Sequence, residues 1–110
     1  MEAAICSLLH LPLYALPDLG GDDAWLENLN WFLYPKNLFY LEVSPDDPMA
    51  EAAFRMGDTW HIIAGTSPRG GKHAVVGRNG RMVHDPHPPD GTGHGLVDID
   101  KFGFLVSRLV

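Results

Sequence analysis

Apolar residues near the start of the chain recur at helical spacing. Ile5, Leu8 and Leu9 lie three and four residues apart and form one apolar stripe, which predicts a helix from residue 2 to about residue 10. Proline disfavours helical backbone in the residue before it, so we expect Pro12 to end this helix near Leu11.

A second helix is predicted after a connection punctuated by Pro and Gly, from Leu11 to Gly21. Asp22 or Asp23 can cap its first turn, and Pro35 stops it. Its apolar face holds four residues at helical spacing, namely Trp25, Leu29, Phe32 and Leu33.

The segment that follows combines a strand with a short third helix. Asn37 to Val43 is an aromatic and aliphatic run of strand length. Ser44 to Pro48 is typical of a turn that leads into a helix, with Asp47 as the cap and Pro48 at the first position. Gly57 lies just past the expected end of that helix.

The second half of the chain changes character, because β-branched runs separated by glycines replace the helical spacing. Four further strands are predicted, at Thr59–Ala64, His73–Gly77, Arg81–Asp85 and Phe104–Leu109. Helices followed by antiparallel strands are typical of an α+β fold with helices packed on one face of a sheet. We therefore predict a single domain over residues 1–110, helical in 1–57 and mainly strands in 58–110.

Composition narrows the class of protein. The chain has 110 residues, of which 45% are hydrophobic and 20% charged, as expected for one globular domain. Its net charge of −6 argues against general nucleic-acid binding and against an anionic membrane surface. The single cysteine excludes an internal disulfide and fits a reducing compartment. Since the apolar start has no basic region before it, we expect mature structure in a cytoplasmic protein.

The charge is distributed unevenly along the chain. Residues 1–60 hold ten acidic and two basic side chains, a charge of −8, whereas residues 61–110 hold four acidic and six basic ones, a charge of +2. An acidic half of this size suits a protein that binds a basic surface on a partner. Between Arg69 and Arg81 there are four bases and no acids, which indicates either a solvated basic hairpin or a site for an anionic group.

Two of the predicted strands flank Asn79-Gly80, a dipeptide that favours a tight hairpin turn. A two-residue turn would put His73 opposite Pro86, with Asp85 on the other face of the sheet. A three-residue loop, with Gly80 as a left-handed glycine bulge, would put His73 opposite Asp85. The carboxylate could then orient and charge-stabilise the imidazole, so a pair between these two side chains requires the bulged register.

A histidine oriented by a carboxylate is the base of a nucleophilic triad, and it requires a thiol or a hydroxyl within reach. Cys6 is the only thiol of the chain. Only five residues separate Cys6 from Pro12, so Cys6 lies late in its helix, where the helix dipole disfavours the thiolate. A small buried hydrophobic residue is therefore the better interpretation of Cys6.

Three stretches of the chain resemble a family of small bacterial and phage proteins with a papain-like cysteine-peptidase fold. They are Ala3–Leu13, Ser67–Gly77 and Val83–Leu96. The same stretches are distantly similar to the bacteriocin-processing double-glycine peptidase domains, in which a histidine followed by Val-Val precedes an Asp-Pro. The most specific segments are His73-Ala-Val-Val and His84-Asp-Pro-His-Pro.

The resemblance implies a minimal papain-like fold with N-terminal helices packed on an antiparallel sheet, and it implies no cofactor. It assigns His73 as the base and Asp85 as the acid that orients it. In the family the nucleophilic cysteine comes a few residues before the Ala-Ala segment, which puts it at or just before Met1. Either the start codon lies upstream, or this form lacks its nucleophile, or Cys6 has taken over that role. The polar residue that stabilises the oxyanion in the family has no counterpart here.

A metal site is a second interpretation of the same region, because five possible ligands fall within eleven residues, namely His84, Asp85, His87, Asp90 and His94. His84 and Asp85 are neighbours in a predicted strand and point to opposite faces, so both could bind one metal only across a bend. We therefore predict no metal here, and instead a rigid Pro- and Gly-rich loop that borders a site.

Three residues are candidates for contacts with a substrate. Arg69 and Lys72 flank the loop before His73 and could bind a carboxylate or a phosphate. Trp60 is a candidate aromatic contact, with a place in or beside the core as its alternative.

Two functions follow from these patterns. The first is thiol-dependent acyl transfer on a peptide or protein, by a papain-like peptidase or amidase that is inactive in this form unless Cys6 serves as the nucleophile. The second is a non-catalytic acidic inhibitor, borne by a phage or mobile element, that binds a basic host protein. Charge reversals in its acidic half should weaken such binding, at Asp18, Asp22, Asp23, Asp46 and Asp47.

Overall fold

A computed structural model of the chain describes residues 1–20, 24–86 and 95–108. Its helices are α1 (Glu2–Leu9), α2 (Trp25–Leu33) and α3 (Pro48–Arg55). Its strands are β1 (Leu38–Val43), β2 (Trp60–Thr66), β3 (Lys72–Arg78), β4 (Arg81–His84) and β5 (Asp98–Ser107). Short 3-10 turns occupy Leu13–Ala15 and Tyr34–Lys36.

The strands form one sheet in the order β1-β5-β2-β3-β4, and every neighbouring pair is antiparallel. The last strand of the chain therefore lies in the interior of the sheet, between β1 and β2. The prediction of an α+β fold with N-terminal helices on an antiparallel sheet is confirmed.

Helices cover both faces of this sheet. The face toward α1 and α2 is an apolar cluster that includes Ile5, Leu29, Leu33, Tyr40, Ile62, Ala74 and Val76. The opposite face packs against α3 through a second cluster, which includes Val43, Ala50, Phe54, Ile63, Val75 and Phe102. The prediction of a single covered face is wrong for α3. Because β2 and β3 carry apolar side chains at consecutive positions, both of their faces must be buried.

The start of α3 and the end of α2 follow the sequence signals. At α3, the Asp47 carboxylate accepts a hydrogen bond of 2.9 Å from the Met49 N–H, as predicted for a cap. α2 ends at Leu33 because Pro35 stands in the next turn. The start of α2 at Trp25 follows Ala24, and the predicted caps Asp22 and Asp23 lie outside the described residues.

β5 begins six residues before the predicted Phe104, at Asp98. Its first four residues are exposed, and only one of them is apolar. They therefore lack the β-branched run that predicts a strand. Gly103 in its centre lies under Tyr40, and a Cβ added there would come within 1.8 Å of the Tyr40 hydroxyl oxygen. The strand therefore needs glycine at this position for Tyr40 to be buried.

None of the helices in residues 1–20, 24–86 and 95–108 has the length and apolar character needed to cross a membrane.

Candidate functional site

The hairpin between β3 and β4 has a two-residue turn. Asn79 and Gly80 have φ angles of 53° and 88°, the left-handed pair that this turn requires. Arg78 pairs with Arg81, and Gly77 pairs with Met82. The alternative prediction, a three-residue loop with Gly80 as the bulge, is therefore wrong.

A bulge occurs inside the hairpin instead of at its turn. The register shifts between Val76 and Gly77, so that Val76 pairs with His84 and Val83 is the extra residue on β4. One extra residue exchanges the faces of all side chains that follow it. Asp85 consequently lies on the same face as His73, although the two-residue turn alone would have put them on opposite faces.

The His73 and Asp85 side chains are joined directly. Nε2 of His73 lies 2.7 Å from Oδ1 of Asp85, and it donates a hydrogen bond to this carboxylate. The other carboxylate oxygen accepts a hydrogen bond of 2.6 Å from the Gly95 N–H. The side chain of Asp85 is fully buried and that of His73 is 15% exposed. This arrangement fixes the orientation of the imidazole.

His73, at the start of β3, also borders a cavity that the first two residues of the chain border. This cavity has a volume of about 320 Å³. Its apolar walls come from Met1, Leu19, Trp25, Ala64 and Ala74, and its charged groups are Glu2, Glu42, Lys72 and Asp100. The start of α1 and the start of β3 therefore border one cavity.

Some of the charged side chains that line the cavity have an ion-pair or hydrogen-bond partner. Lys72, a predicted substrate contact, forms an ion pair with Asp100 at the rim, and this contact raises the pKa of Lys72. Glu42 accepts a long hydrogen bond of 3.5 Å from the Tyr40 hydroxyl. Burial raises the pKa of Glu42, although the charge of Lys101 opposes this effect. Burial and the charge of Glu42 also raise the pKa of Tyr40.

Cys6 does not reach this cavity. It is buried in the cluster between α1 and the sheet. It also borders a different cavity, which His84 and Pro86 line as well. Burial raises the pKa of its thiol, and the charge of Glu2 adds to that effect. Both observations agree with the interpretation of Cys6 as a packing residue.

The other two predicted substrate contacts lie elsewhere. Trp60 is half-exposed at the far end of β2, where the Arg78 guanidinium lies 5.7 Å from the centre of its ring. It lines a cavity with His10 and His84, and that cavity does not include His73. Arg69 is exposed in the turn between β2 and β3 and does not line the cavity of His73.

The proposed metal ligands are divided by the hairpin. His84 borders the cavities beside α1, whereas Asp85 bonds to His73 on the other face. His87, Asp90 and His94 lie outside the described residues. Among the residues that are described, no three His, Cys, Asp or Glu side chains come together in a way that could hold a metal ion.

Three contributors to the site were not predicted from the sequence. Gly95 bonds to Asp85 through its backbone, which leaves no signal in a side chain. Trp25 was assigned to a helix face, without a role in a cavity. Glu42 could have been found, since it lies two residues after the buried Tyr40 in a strand and so shares its face.

Comparison of the chain with protein-family models, with curated proteins and with solved structures finds no match. The assignment of a function therefore rests on the geometry of the His73–Asp85 pair and of the cavity beside it.

Proposed function

We propose that this chain carries the base half of a papain-like thiol acyl-transfer site, with a peptide or protein as substrate. His73 is the general base, and Asp85 is the positioning residue that holds its imidazole. The thiol belongs at the amino end of α1, at the position of Met1 or of the residue before it. The observation that carries this proposal is the His73–Asp85 hydrogen bond at the start of β3, the strand end that also borders the cavity of Met1 and Glu2.

The chemistry follows from the ring nitrogen that Asp85 engages. Nε2 of His73 donates to the carboxylate, so Nδ1 is the nitrogen that takes the thiol proton. The thiolate then attacks the carbonyl carbon, and the imidazolium returns its proton to the leaving amine. The resulting acyl-enzyme is released by water, which His73 deprotonates in the same way.

The amino end of α1 favours a thiolate more than the position of Cys6 does. Partial positive charge from the helix N–H groups collects at the first turn and lowers the pKa of a thiol there. Cys6 is the fifth of the eight residues of α1 and is buried. We therefore assign Cys6 to packing and not to catalysis.

The activity that we propose belongs in the cytoplasm. A papain-like thiol acts in its reduced form, and the one cysteine of the chain is free in the structure. Reducing conditions are those under which such thiols persist.

Alkylation of an introduced thiol tests the proposal. The variant Met1→Cys, with Gly-Ser left upstream and with Cys6→Ala to remove the native thiol, is treated with iodoacetamide from about pH 5 to about pH 10 and followed by intact mass. We expect a thiol whose pKa lies well below about 8.5. Adding His73→Gln should return the pKa to that ordinary value, whereas the matched change His84→Gln, on the same hairpin, should leave it lowered.

The result that would contradict the proposal follows from the two faces of β3. His73 lies on the side of Val75, which faces α3, whereas Ala74 faces α1. If the thiol at position 1 titrates identically with and without His73, the two groups do not meet around the end of β3 and the proposal is wrong.

The acidic inhibitor would then be the remaining candidate, and it has a distinct signature. Its binding to a basic partner should weaken steeply with added salt and with charge reversal at Asp18 and Asp46. His73→Gln should leave that binding unchanged.

A further inference from the structure

A second histidine, His61, lies in the core on the other side of the sheet from α1. It is fully buried. Its imidazole packs among three phenylalanine rings, with centroid distances of 4.9 Å to Phe54, 5.2 Å to Phe102 and 5.4 Å to Phe104. A Cβ added at Gly77 would come within 3.0 Å of this ring, so the space around it is fully occupied.

Both ring nitrogens of His61 have a backbone partner, and these partners fix the protonation state. Nδ1 lies 3.0 Å from the carbonyl oxygen of Ile62, which can only accept a hydrogen bond. Nε2 lies 2.9 Å from the backbone nitrogen of Gly80, which can only donate one. The ring is therefore neutral, with its proton on Nδ1 and a lone pair on Nε2.

The Gly80 bond is one of three hydrogen bonds that hold the β3–β4 turn against β2. The Asn79 N–H donates to the Thr59 carbonyl oxygen at 3.0 Å, and the Thr59 N–H donates to the Asn79 side chain at 3.0 Å. Gly80 itself packs on Phe54, since a Cβ there would come within 3.2 Å of that ring. Of the three bonds, only that of Gly80 depends on a titratable acceptor.

The charged side chains named here, on the elements around His61, either form ion pairs with one another or are exposed to solvent. On α3, Arg55 pairs with Glu51, and Arg78 of β3 pairs with Asp58. Arg81 at the start of β4 and Lys101 of β5 are exposed cations. Among the described residues, these elements bring no carboxylate into hydrogen-bond contact with the imidazole, so no opposite charge pairs with a protonated His61.

We propose that protonation of His61 at acid pH releases the β3–β4 turn from β2. Proton uptake at Nε2 removes the acceptor of the Gly80 N–H and leaves an uncompensated cation among three aromatic rings. The turn then opens from β2 so that the imidazolium reaches water. The hairpin that this turn closes carries His73 and Asp85, so acid loosens the element on which that pair is built.

The direction of the pH dependence follows from burial. Burial lowers the pKa of His61 from its ordinary value of 6.5. The opened turn exposes the ring and returns it to that value, so the open form binds the proton more tightly than the closed form. The closed turn is therefore fully favoured above about pH 6.5 and loses favour as the pH falls below it, by up to about tenfold per pH unit. The effect levels off once the closed form also binds the proton.

Hydrogen exchange at Gly80 measures this release. Protection factors, corrected for the intrinsic exchange rate, are determined by NMR from about pH 7.5 to about pH 5 on the intact chain. We expect the protection of the Gly80 amide to fall by up to about tenfold per pH unit below about pH 6.5. Amides in the middle of the β2–β5 pairing, such as that of Ile63, should fall much less.

Two variants separate His61 from the other histidines. His61→Phe keeps an aromatic ring in the cluster but cannot titrate, so Gly80 protection should be low and independent of pH. His84→Gln changes an exposed histidine on the same hairpin and should keep the response of the native protein.

The native protein alone also decides the question if His61→Phe does not fold. The protection of the Gly80 amide must begin to fall near pH 6.5, where the ring of the open form binds a proton, and the ring nitrogens of His61 must titrate below that pH. Constant Gly80 protection over this range, or titration of the His61 ring at or above pH 6.5, would overturn the proposal.

Discussion

His61 and His73 lie on neighbouring strands, β2 and β3, yet they occupy opposite electrostatic environments. The ring of His61 packs among three phenylalanine rings, and its Nε2 accepts a hydrogen bond from Gly80. The ring of His73 meets the buried carboxylate of Asp85, and its Nε2 donates. Burial disfavours a positive charge on His61, whereas His73 has a carboxylate as its direct hydrogen-bond partner.

The difference shows that the role of a histidine depends on residues far from it in the chain. Gly80 is 19 residues from His61, and Asp85 is 12 residues from His73. Both partners belong to the same hairpin, at its turn and at its open end. A single hairpin thus supplies a hydrogen-bond partner to each of the two histidines.

Among the changes that test this comparison, removal of the Asp85 side chain should lower the free energy of unfolding the most. Asp85→Ala removes the acceptor of both the Gly95 N–H and the His73 Nε2–H from a fully buried position. We expect a loss of about 3–5 kcal/mol in the free energy of unfolding, measured by urea denaturation at neutral pH.

The matched control for this change is Asp46→Asn, at an exposed carboxylate that bonds only to Ser44 among the described residues. It should change the free energy of unfolding by less than about 0.5 kcal/mol. A loss below about 1 kcal/mol in Asp85→Ala would mean that the buried pair does not hold this end of the hairpin.

Removal of His61 should have the next largest effect. His61→Ala leaves a cavity among the three phenylalanine rings and takes the acceptor from the Gly80 N–H. A loss of about 2–4 kcal/mol is expected in urea denaturation. His10→Ala, at an exposed histidine past the end of α1, should cost far less; equal losses in the two variants would contradict the account.

The smallest effect is expected at Lys72, the neighbour of His73. Its ion pair with Asp100 is exposed to solvent, so water and salt screen it. Lys72→Ala should leave the urea midpoint within experimental error of the native value. A shift as large as that of His61→Ala would show that the rim of the cavity, and not the buried pair, stabilises this region.

Local patterns were enough to predict much of the fold. The apolar spacing of α1 and α2, the Asp47-Pro48 start of α3 and the Asn79-Gly80 turn all act over a few residues, and the structure contains each of them. These signals depend on backbone sterics and on hydrogen bonds between near neighbours, so they survive in any tertiary context.

The position of β5 and the helix on the second face depend on long-range packing instead. The exposed start of β5 becomes a strand because β2 offers it backbone partners as far as Thr66. Such pairing arises from tertiary structure and leaves no periodic pattern in the sequence.

Sequence reasoning identified the partner of His73 but not the geometry that joins them. The resemblance named His73 and Asp85, and the structure joins them through an extra residue, Val83, that no turn signal predicts. Trp60 borders a cavity that His73 does not line, and the strand pattern of the sequence does not indicate which end of the sheet a residue occupies. The function of the pair stays a proposal.

The central claim is that the two histidines hold their protons on opposite nitrogens. A long-range ¹H–¹⁵N correlation spectrum of the imidazole rings at neutral pH measures this directly, with His61→Phe and His73→Gln to assign the signals. The account predicts that His61 carries its proton on Nδ1 with a bare Nε2, whereas His73 carries a proton on Nε2. If both rings carry a proton on Nε2, then His61 does not accept the hydrogen bond from Gly80 that holds the turn. If Nε2 of His73 is bare, then Asp85 does not orient that ring.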